Sequence, residues 1–279
     1  MSKQLKVAVF GDGMWDRYWI GTANRLSPEF PGPVVKIEDM RFYPGGAGNV
    51  ANNLQMLGVT VLRYFHDGPT KNRLMVGDTQ IARWDEHDTC EPFNERVPYE
   101  DIDAVVVADY NKGSITQDVI TKIRSLKAPI FVDTKRDPSV WSGVATAVFP
   151  NDKEWSQYEL SYASFDGLVV GKAGAKGLTL YKNGQGVFAE SPAQGRFVRS
   201  VNGAGDTVIA AFVYKYLEDK DDMYDWQTIL DFANTAAAIA VERSFTYAPT
   251  LDEVERRYYG IDQIDEREKY DTRSNQRTV

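Results

Sequence analysis

The sequence predicts an α/β fold: a doubly wound, mostly parallel sheet with helices on both faces, and a small antiparallel β lid. Short apolar runs of strand length alternate with segments of helical periodicity along most of the chain. Polar residues directly follow several of these runs, where parallel sheets place their ligand-binding residues. Two aromatic segments, about residues 14–44 and 73–85, lack helical periodicity and predict the lid.

The elements follow in order along one predicted domain, residues 1–260. Apolar runs predict strands that cover residues 5–10, 59–65, 104–108, 129–132, 145–149 and 167–170. Helical periodicity predicts helices near residues 50–57, 115–126, 204–216 and 229–241. Lys182-Asn183-Gly184 predicts the turn of a hairpin between residues 178 and 189. The charged segment 261–279 has few apolar residues, and we interpret it as a frayed polar tail.

The composition argues against several classes of partner and site. The chain has 279 residues and a formal net charge of −8, which argues against a nucleic-acid partner. No apolar run is long enough to predict a membrane span or a membrane partner. Cys90 is the single cysteine, so no internal disulfide can form, and the first residues lack a signal-peptide layout; we expect a cytoplasmic protein. The two histidines and Cys90 do not have the spacing of a zinc site.

Residues 199–212 carry the strongest chemical signal. Gly203, Ala204 and Gly205 immediately precede a helical apolar pattern, and a helix that begins on a glycine turn offers unpaired amides to an anion such as phosphate. Asp206 would repel that anion, but it is well placed to accept a proton from an attacking hydroxyl. The pattern therefore indicates phosphoryl transfer from a nucleotide to an alcohol. The alternative is a simple turn, with Asp206 stabilised by the helix dipole.

A second glycine turn lies near the start of the chain. Gly45 and Gly46 precede a predicted helix, and glycines there let the backbone approach a ligand closely. Asn49, in the first turn of that helix, could bond sugar hydroxyls. A flexible loop with a helix cap explains the same residues equally well.

Taken together, the two glycine turns resemble those of the ribokinase-like (PfkB) carbohydrate kinases. Within that family the most specific likeness is to the kinase domain of the bifunctional heptose 7-phosphate kinase/ADP-heptose synthase. It is carried by residues 9–21, 25–29, 33–36, 108–113 and 206–209 and covers residues 5 to about 255, without the nucleotidyltransferase half. The resemblance implies a ribokinase-like fold, ATP and Mg²⁺ as cofactors, and transfer of the γ-phosphoryl group to a sugar hydroxyl. The implied acceptor is the anomeric hydroxyl of a heptose 7-phosphate.

The resemblance also implies roles for individual residues. Those matched to the catalytic step are Asp206 as base and Gly203, Ala204 and Gly205 as phosphate-binding amides. Those matched to the sugar are Asp16, Gly45, Gly46 and Asn49, with Asp109 and Lys112 added at the end of a strand. Those matched to the nucleotide are Asn151, Glu154, Gly174, Gly177 and Asn234, with Lys135 added because it follows a strand on the same side. Asn151 and Glu154 are also expected to hold Mg²⁺ through water.

Several alternatives stay open. From the residues alone, Asn151 and Glu154 also fit a helix cap, and Lys112 and Lys135 also fit solvated surface lysines. The phosphate of a sugar phosphate needs a basic pocket, and the sequence does not choose among Arg17, Arg41, Arg73, Arg83 and Lys112. Other acceptors, such as another small sugar or a nucleoside, fit the same motifs, as does a catalytically silent protein that binds sugar or nucleotide.

Two departures from the family pattern stand out. The chain between Gly58 and Asn72 is shorter than in the family, which omits a helix and a strand beside the lid and predicts altered acceptor binding or subunit contacts. Ser200 replaces an aspartate that the family associates with a monovalent cation, which weakens the expectation of potassium activation. The aromatic residues of the lid predict a homodimer formed through it.

Overall fold

The structure is a computed structural model that describes residues 4–94, 101–182, 185–219 and 225–261. The strands are β1 (Lys6–Gly11), β2 (Gly13–Leu26), β3 (Pro33–Gly46), β4 (Thr60–Tyr64), β5 (Asp67–Val76), β6 (Thr79–Glu86), β7 (Ala104–Asp109), β8 (Ile130–Thr134), β9 (Ala147–Val148), β10 (Leu168–Lys172), β11 (Leu178–Lys182) and β12 (Gln185–Ser191). The α-helices are α1 (Ala47–Met56), α2 (Gln117–Arg124), α3 (Asp152–Gln157), α4 (Glu159–Ala163), α5 (Ala204–Glu218), α6 (Trp226–Val241) and α7 (Leu251–Tyr258).

The main sheet has the strand order β12-β11-β10-β9-β8-β7-β1-β4. Strands β4, β1, β7, β8, β9 and β10 are parallel, and β11 and β12 extend the sheet in antiparallel fashion. Every residue of β7 is buried, as expected for a strand covered on both faces. The predicted doubly wound, mostly parallel sheet is confirmed.

Helices cover both faces of this sheet because successive residues of its strands point to opposite sides. In β1, Val7 and Val9 pack with α1, α5, α6 and α7, whereas Ala8 and Phe10 pack with α2 and α4. The two apolar clusters hold the strands in register from both sides. Their common effect is to fix the carboxyl ends of the parallel strands, from which the polar residues of the site project.

The lid is a separate sheet with the order β3-β2-β5-β6. Its two hairpins, β2–β3 and β5–β6, are antiparallel as predicted, and they join through a parallel β2–β5 pair that the sequence does not indicate. Strand β5 begins at Asp67, so only Phe65 and His66 separate it from β4 of the main sheet. The shortened segment of the sequence is thus a direct passage from the main sheet into the lid.

Polar and aromatic contacts hold the lid against the main domain. Asn202, in the loop before α5, donates a hydrogen bond from Nδ2 to the hydroxyl oxygen of Tyr18 at 2.9 Å. The Phe245 ring stacks on Tyr43 with 5.6 Å between centroids and meets the edge of Tyr18 at 4.8 Å. The lid therefore lies directly over the loop that leads into the Asp206 helix.

Two sequence interpretations fall on residues that the structure does not describe: the Asn183-Gly184 turn and almost all of the polar tail, residues 262–279. In the part of the chain that is described, no helix is both long enough and apolar enough to cross a membrane.

Candidate active site

A cavity of about 650 Å³ lies between the lid and the carboxyl ends of the parallel strands. Among the residues that line it are Asp16, Gly46, Lys71, Arg73, Tyr110, Asp133, Lys135, Asn151, Lys172, Gly174, Gly177, Gly203, Ala204, Gly205, Asp206 and Asn234. The two glycine turns singled out in the sequence meet at this cavity. Asn49 of the first turn donates from Nδ2 to Asp206 Oδ2 of the second at 2.7 Å.

The second glycine turn opens α5 without a side-chain cap. Gly203 is the N-cap residue in the left-handed region at φ 78°, and a Cβ atom there would lie 2.5 Å from Nδ2 of Asn49. Only glycine allows this conformation and this approach together. The first amides of α5 therefore lack an intrahelical partner at the cavity wall, which makes that wall an anion site.

Asp206 is the acid at the mouth of that anion site, and it is only 6% exposed. Its carboxylate accepts hydrogen bonds from the Tyr110 hydroxyl and from Asn49. Burial raises the pKa of Asp206 from 3.8 to about 6, and these two hydrogen bonds act in the opposite direction. A carboxyl with a pKa near neutrality is suited to accept a proton as a general base.

Tyr110 is held in place by Asp12, a fully buried residue just after β1. The Asp12 carboxylate accepts backbone N–H bonds from Tyr110 at 2.8 Å, Lys112 at 3.1 Å and Ser114 at 3.0 Å. Asp12 and Tyr110 were both missed as site residues, although both lie in segments that carry the resemblance. The available signal was a carboxylate at the end of an apolar strand, where a buried charge needs several donors.

The lid contributes charged groups to the cavity. Arg73 donates to Asp16 Oδ1 at 2.5 Å, and both residues are buried. A Cβ atom on Gly45 would lie 3.1 Å from the other Asp16 oxygen, so this glycine leaves the carboxylate accessible. Lys71, two residues before Arg73 on the same strand, also lines the cavity, and burial lowers its pKa.

Of the five basic residues left open by the sequence, only Arg73 lines the cavity. The other four pair with acidic partners elsewhere: Arg17 with Glu86, Arg41 with Asp39, Arg83 with Asp85, and Lys112 with Asp88. Lys71 was not considered, because its position depends on the direct passage from β4 into the lid.

The structure places Asp109 and Lys112 beside the cavity, not in its lining, and their role in binding substrate stays a prediction. The buried Asp109 carboxylate accepts from Thr134 at 3.0 Å and from Arg136 Nε at 2.7 Å, and neither Asp109 nor Lys112 lines the cavity. A carboxylate buried at the end of a strand requires a cationic partner, and Arg136 supplies it. Asp109 therefore anchors the loop after β8.

Asn151 and Glu154 form a capping box at the start of α3. Asn151 Oδ1 accepts from the Glu154 amide at 3.0 Å, and Glu154 Oε2 accepts from the Asn151 amide at 2.9 Å. Glu154 Oε1 also accepts from Lys135 and from Asn151 Nδ2. With its oxygens occupied in this way, Glu154 does not fit direct ligation of a metal. The pair fits a Mg²⁺ ion that is held mainly by phosphates and contacts the protein through water.

The remaining nucleotide candidates form one wall of the cavity. Gly177 has φ 95°, and a Cβ atom there would lie 2.0 Å from the Ser191 carbonyl oxygen, so the turn requires glycine. Asn234 donates from Nδ2 to the carbonyl oxygens of Ser191 at 3.1 Å and Pro192 at 2.6 Å. These donors stabilise the loop after β12 and thereby shape the wall.

A buried charge pair that the sequence analysis missed completes the site. Lys172, the last residue of β10, donates to Asp133 Oδ2 at 2.6 Å, and Lys135 approaches Asp133 Oδ1 at 3.7 Å. Burial alone would raise the pKa of Asp133, but the two lysines outweigh it and hold the pKa below its usual value. Lys172 follows an apolar strand in the same way as Lys135, which was selected.

Comparison with known proteins identifies the family. The model of the pfkB family carbohydrate kinases matches residues 63–253. The chain belongs to the pfkB family of carbohydrate kinases. It is therefore a phosphotransferase with an alcohol group as acceptor.

Similar pfkB-family relatives include the bifunctional protein HldE of Vibrio parahaemolyticus, 33% identical over 89% of this chain and 62% of the relative. HldE of Campylobacter jejuni is 32% identical over 89% of this chain and 64% of the relative. The chain thus spans less than two thirds of the length of these relatives. They confirm the resemblance to the bifunctional heptose kinases that the sequence motifs indicated.

Two solved structures confirm the ribokinase-like fold. Phosphofructokinase-2 from Escherichia coli, in complex with substrates and products, superposes with a TM-score of 0.70 at 15% identity over 93% of this chain and 100% of that one. Ribokinase from Cryptococcus neoformans, in complex with ADP, gives 0.68 at 15% identity over 91% of this chain and 100% of that one.

The raised pKa of Asp206 predicts a stability cost above pH 6. The folded protein must ionise this carboxyl at about pH 6 whereas the unfolded chain ionises near 3.8, so stability falls as pH rises between these values. We expect Asp206→Asn to be more stable than the wild type at pH 7.5, by up to ~3 kcal/mol, and the difference to vanish near pH 4. Urea unfolding at both pH values measures it. Asp101→Asn, at an exposed site, is the control; equal pH dependence in wild type and Asp206→Asn would contradict the prediction.

Proposed function

We propose that this carbohydrate kinase transfers the γ-phosphoryl group of ATP to a sugar hydroxyl, and that the acceptor is the anomeric hydroxyl of a heptose 7-phosphate. One observation carries the proposal: the buried Asp206 carboxylate lies beside the uncapped first turn of α5, in a cavity that both glycine turns form. The similarity to the bifunctional HldE proteins supports the heptose acceptor.

The chemistry follows from this arrangement. The acceptor oxygen forms a bond to the γ-phosphorus while the bond from that phosphorus to the β,γ-bridging oxygen breaks, and ADP leaves with the electron pair. Asp206 accepts the hydroxyl proton. The amides of residues 203–205 donate to the oxygens of the transferring group. Asn49 and Tyr110 hold the carboxylate, so that Asp206 meets the hydroxyl in a fixed orientation.

The wall formed by Gly174, Gly177 and Asn234 is suited to the nucleoside part of ATP, because it is concave and contains few charges. Asn151 and Glu154 would hold Mg²⁺ through water, and Lys135 lies beside them. A bound Mg²⁺ ion would neutralise part of the negative charge of the phosphates. Residues of the chain then have to align the acceptor and remove its proton.

The lid side of the cavity is suited to a phosphorylated sugar. Lys71 and Arg73 bring two positive charges, and Asp16 compensates only one of them. The remaining positive charge, partly shielded from water, favours a bound phosphate. Arg73 holds one oxygen of Asp16, and the missing side chain of Gly45 leaves the other oxygen uncovered. Asp16 can therefore accept hydrogen bonds from sugar hydroxyls.

The direct test is a panel of acceptors assayed for ADP release with ATP and Mg²⁺: heptose 7-phosphate, unphosphorylated heptose, ribose, fructose 6-phosphate and nucleosides. We expect heptose 7-phosphate to give the highest kcat/KM. Asp206→Asn should lower kcat by roughly 10³-fold with ATP affinity changed less than severalfold, because only the base is lost. Asp101→Asn is the control. Near-native turnover of Asp206→Asn would exclude it as the base, and faster turnover of another acceptor would exclude the heptose.

Removal of the lid cations should affect the acceptor and spare ATP. We expect Lys71→Met and Arg73→Met each to raise the KM of a phosphorylated acceptor by roughly tenfold or more, since a charged hydrogen bond is worth about 1.5–3 kcal/mol. The KM of ATP should stay within severalfold. Arg83→Met is matched in charge and in sheet, yet Arg83 pairs with Asp85 outside the cavity lining, so it should behave like the wild type. Equal effects on both substrates would contradict a phosphate pocket in the lid.

A homodimer through the lid remains a further part of the proposal. The lid face that carries Trp19, Phe42 and Trp84 exposes much apolar surface, with Phe42 46% and Trp84 41% exposed. A second copy of the chain would cover it. We expect light scattering to give the dimer mass for the wild type and a lower mass for Trp84→Glu, with Leu160→Glu, a change of an exposed apolar residue of the main domain, as control. A monomer mass for the wild type at high concentration would refute the dimer.

A further inference from the structure

Lys172 occupies a position that a structural ion pair alone does not explain. It is the last residue of β10, its side chain is only 10% exposed, and it lines the active-site cavity. Its Nζ atom lies 3.3 Å from the point where a Cβ atom on Gly205 would be. The ammonium group therefore sits against the first turn of α5, whose N-terminus has no side-chain cap and is suited to an anion.

The ammonium is fixed at this point by Asp133. The 2.6 Å bond to Asp133 Oδ2 uses one of its three N–H donors, and the Asp133 carboxylate stays ionised because Lys172 and Lys135 hold its pKa low. The electrostatic attraction between a fixed cation and a nearby anion is stronger where both are shielded from water. Asp206, which also faces Lys172, is the proposed base, so the cation lies next to the reacting groups.

We propose that Lys172 is a catalytic residue that binds the γ-phosphoryl group during its transfer. This rests on the proposed function. While the bond from the acceptor oxygen to phosphorus forms and the bond to ADP breaks, Lys172 keeps its proton and donates hydrogen bonds to the oxygens of the transferring group. Asp206 takes the proton of the acceptor. Gly205 leaves room for the ammonium on this account, because a Cβ atom there would lie only 3.3 Å from it.

This role separates Lys172 from the other cations of the site. Lys71 and Arg73 belong to the lid and face the acceptor, whereas Lys135 contacts Glu154 on the nucleotide side. A residue that binds the γ-phosphoryl group must distinguish ATP from ADP, since ADP lacks that group. A residue that only supports the fold affects both nucleotides alike.

The test is calorimetric titration with ADP and with the β,γ-imido analogue of ATP, each with Mg²⁺. We expect Lys172→Met to lower the affinity for the imido analogue at least about tenfold and to leave the affinity for ADP within about twofold. The kcat of the variant should fall by roughly 10²-fold, with the acceptor KM within severalfold. Lys127→Met, an identical change at an exposed lysine beyond α2, should match the wild type in every measurement.

A second variant covers the case in which Lys172→Met disturbs folding by leaving Asp133 short of a partner. The double variant Asp133→Asn/Lys172→Met removes that carboxylate as well. A selective loss of the imido analogue in the double variant supports the proposal, and an unchanged ratio of the two affinities overturns it. Wild-type protein that binds neither nucleotide would refute the proposed function itself, which is distinguishable from failure of Lys172 alone.

Discussion

The site depends on the buried carboxylate of Asp12. It is fully buried after β1, and it accepts three backbone N–H bonds from the loop after β7, while its own carbonyl oxygen accepts from the first amide of α1. One residue thus ties together the loop that carries Tyr110 and the helix that carries Asn49. These are the two groups that hold Asp206. Without that link, the segments that carry Tyr110, Asn49 and Asp206 would be positioned independently of one another. The Asp206 carboxylate would then lose its fixed orientation.

Charge is arranged in the cavity so that an acid with a raised pKa lies between two groups of cations. Lys71 and Arg73 lie on the lid side, and Lys135 and Lys172 lie at the ends of the sheet strands. On the lid side Asp16 pairs with Arg73, and at the ends of the strands Asp133 pairs with both lysines. Among the described residues, none forms an ion pair with Asp206, which accepts hydrogen bonds from Tyr110 and Asn49, and burial is the largest influence on its pKa. Burial disfavours the ionised form of this carboxyl, which the proposed base needs. The residue that serves function therefore lowers the stability of the fold.

Most of the fold could be predicted from the sequence, because strand and helix periodicity is a local property. The buried strands β1, β7, β8 and β10 and both glycine turns were found in this way. The parallel β2–β5 pair, Lys71 and Lys172 were not, since each depends on which distant segment lies next to it. Asp109 and Lys112 show a related limit: the end of a strand was identified correctly, but their partners Arg136 and Asp88 come from elsewhere in the chain, and a role in binding substrate stays a prediction. Sequence position indicates which edge of the sheet a residue occupies. Tertiary contacts decide whether its side chain lines the cavity or pairs with another residue.

The direct passage from β4 to β5 restricts how the lid can move. Two residues, Phe65 and His66, join the edge strand of the main sheet to the interior of the lid, and the three residue steps from Tyr64 to Asp67 span only about 10 Å even when fully extended. Strand β2, which neighbours β5 in the lid, is tethered just as closely to β1 through Asp12. The two central strands of the lid are therefore both held to the main domain at one end. These short connections favour pivoting about that paired stem over movement of the sheet as a whole, with the greatest displacement at the far tips of the hairpins.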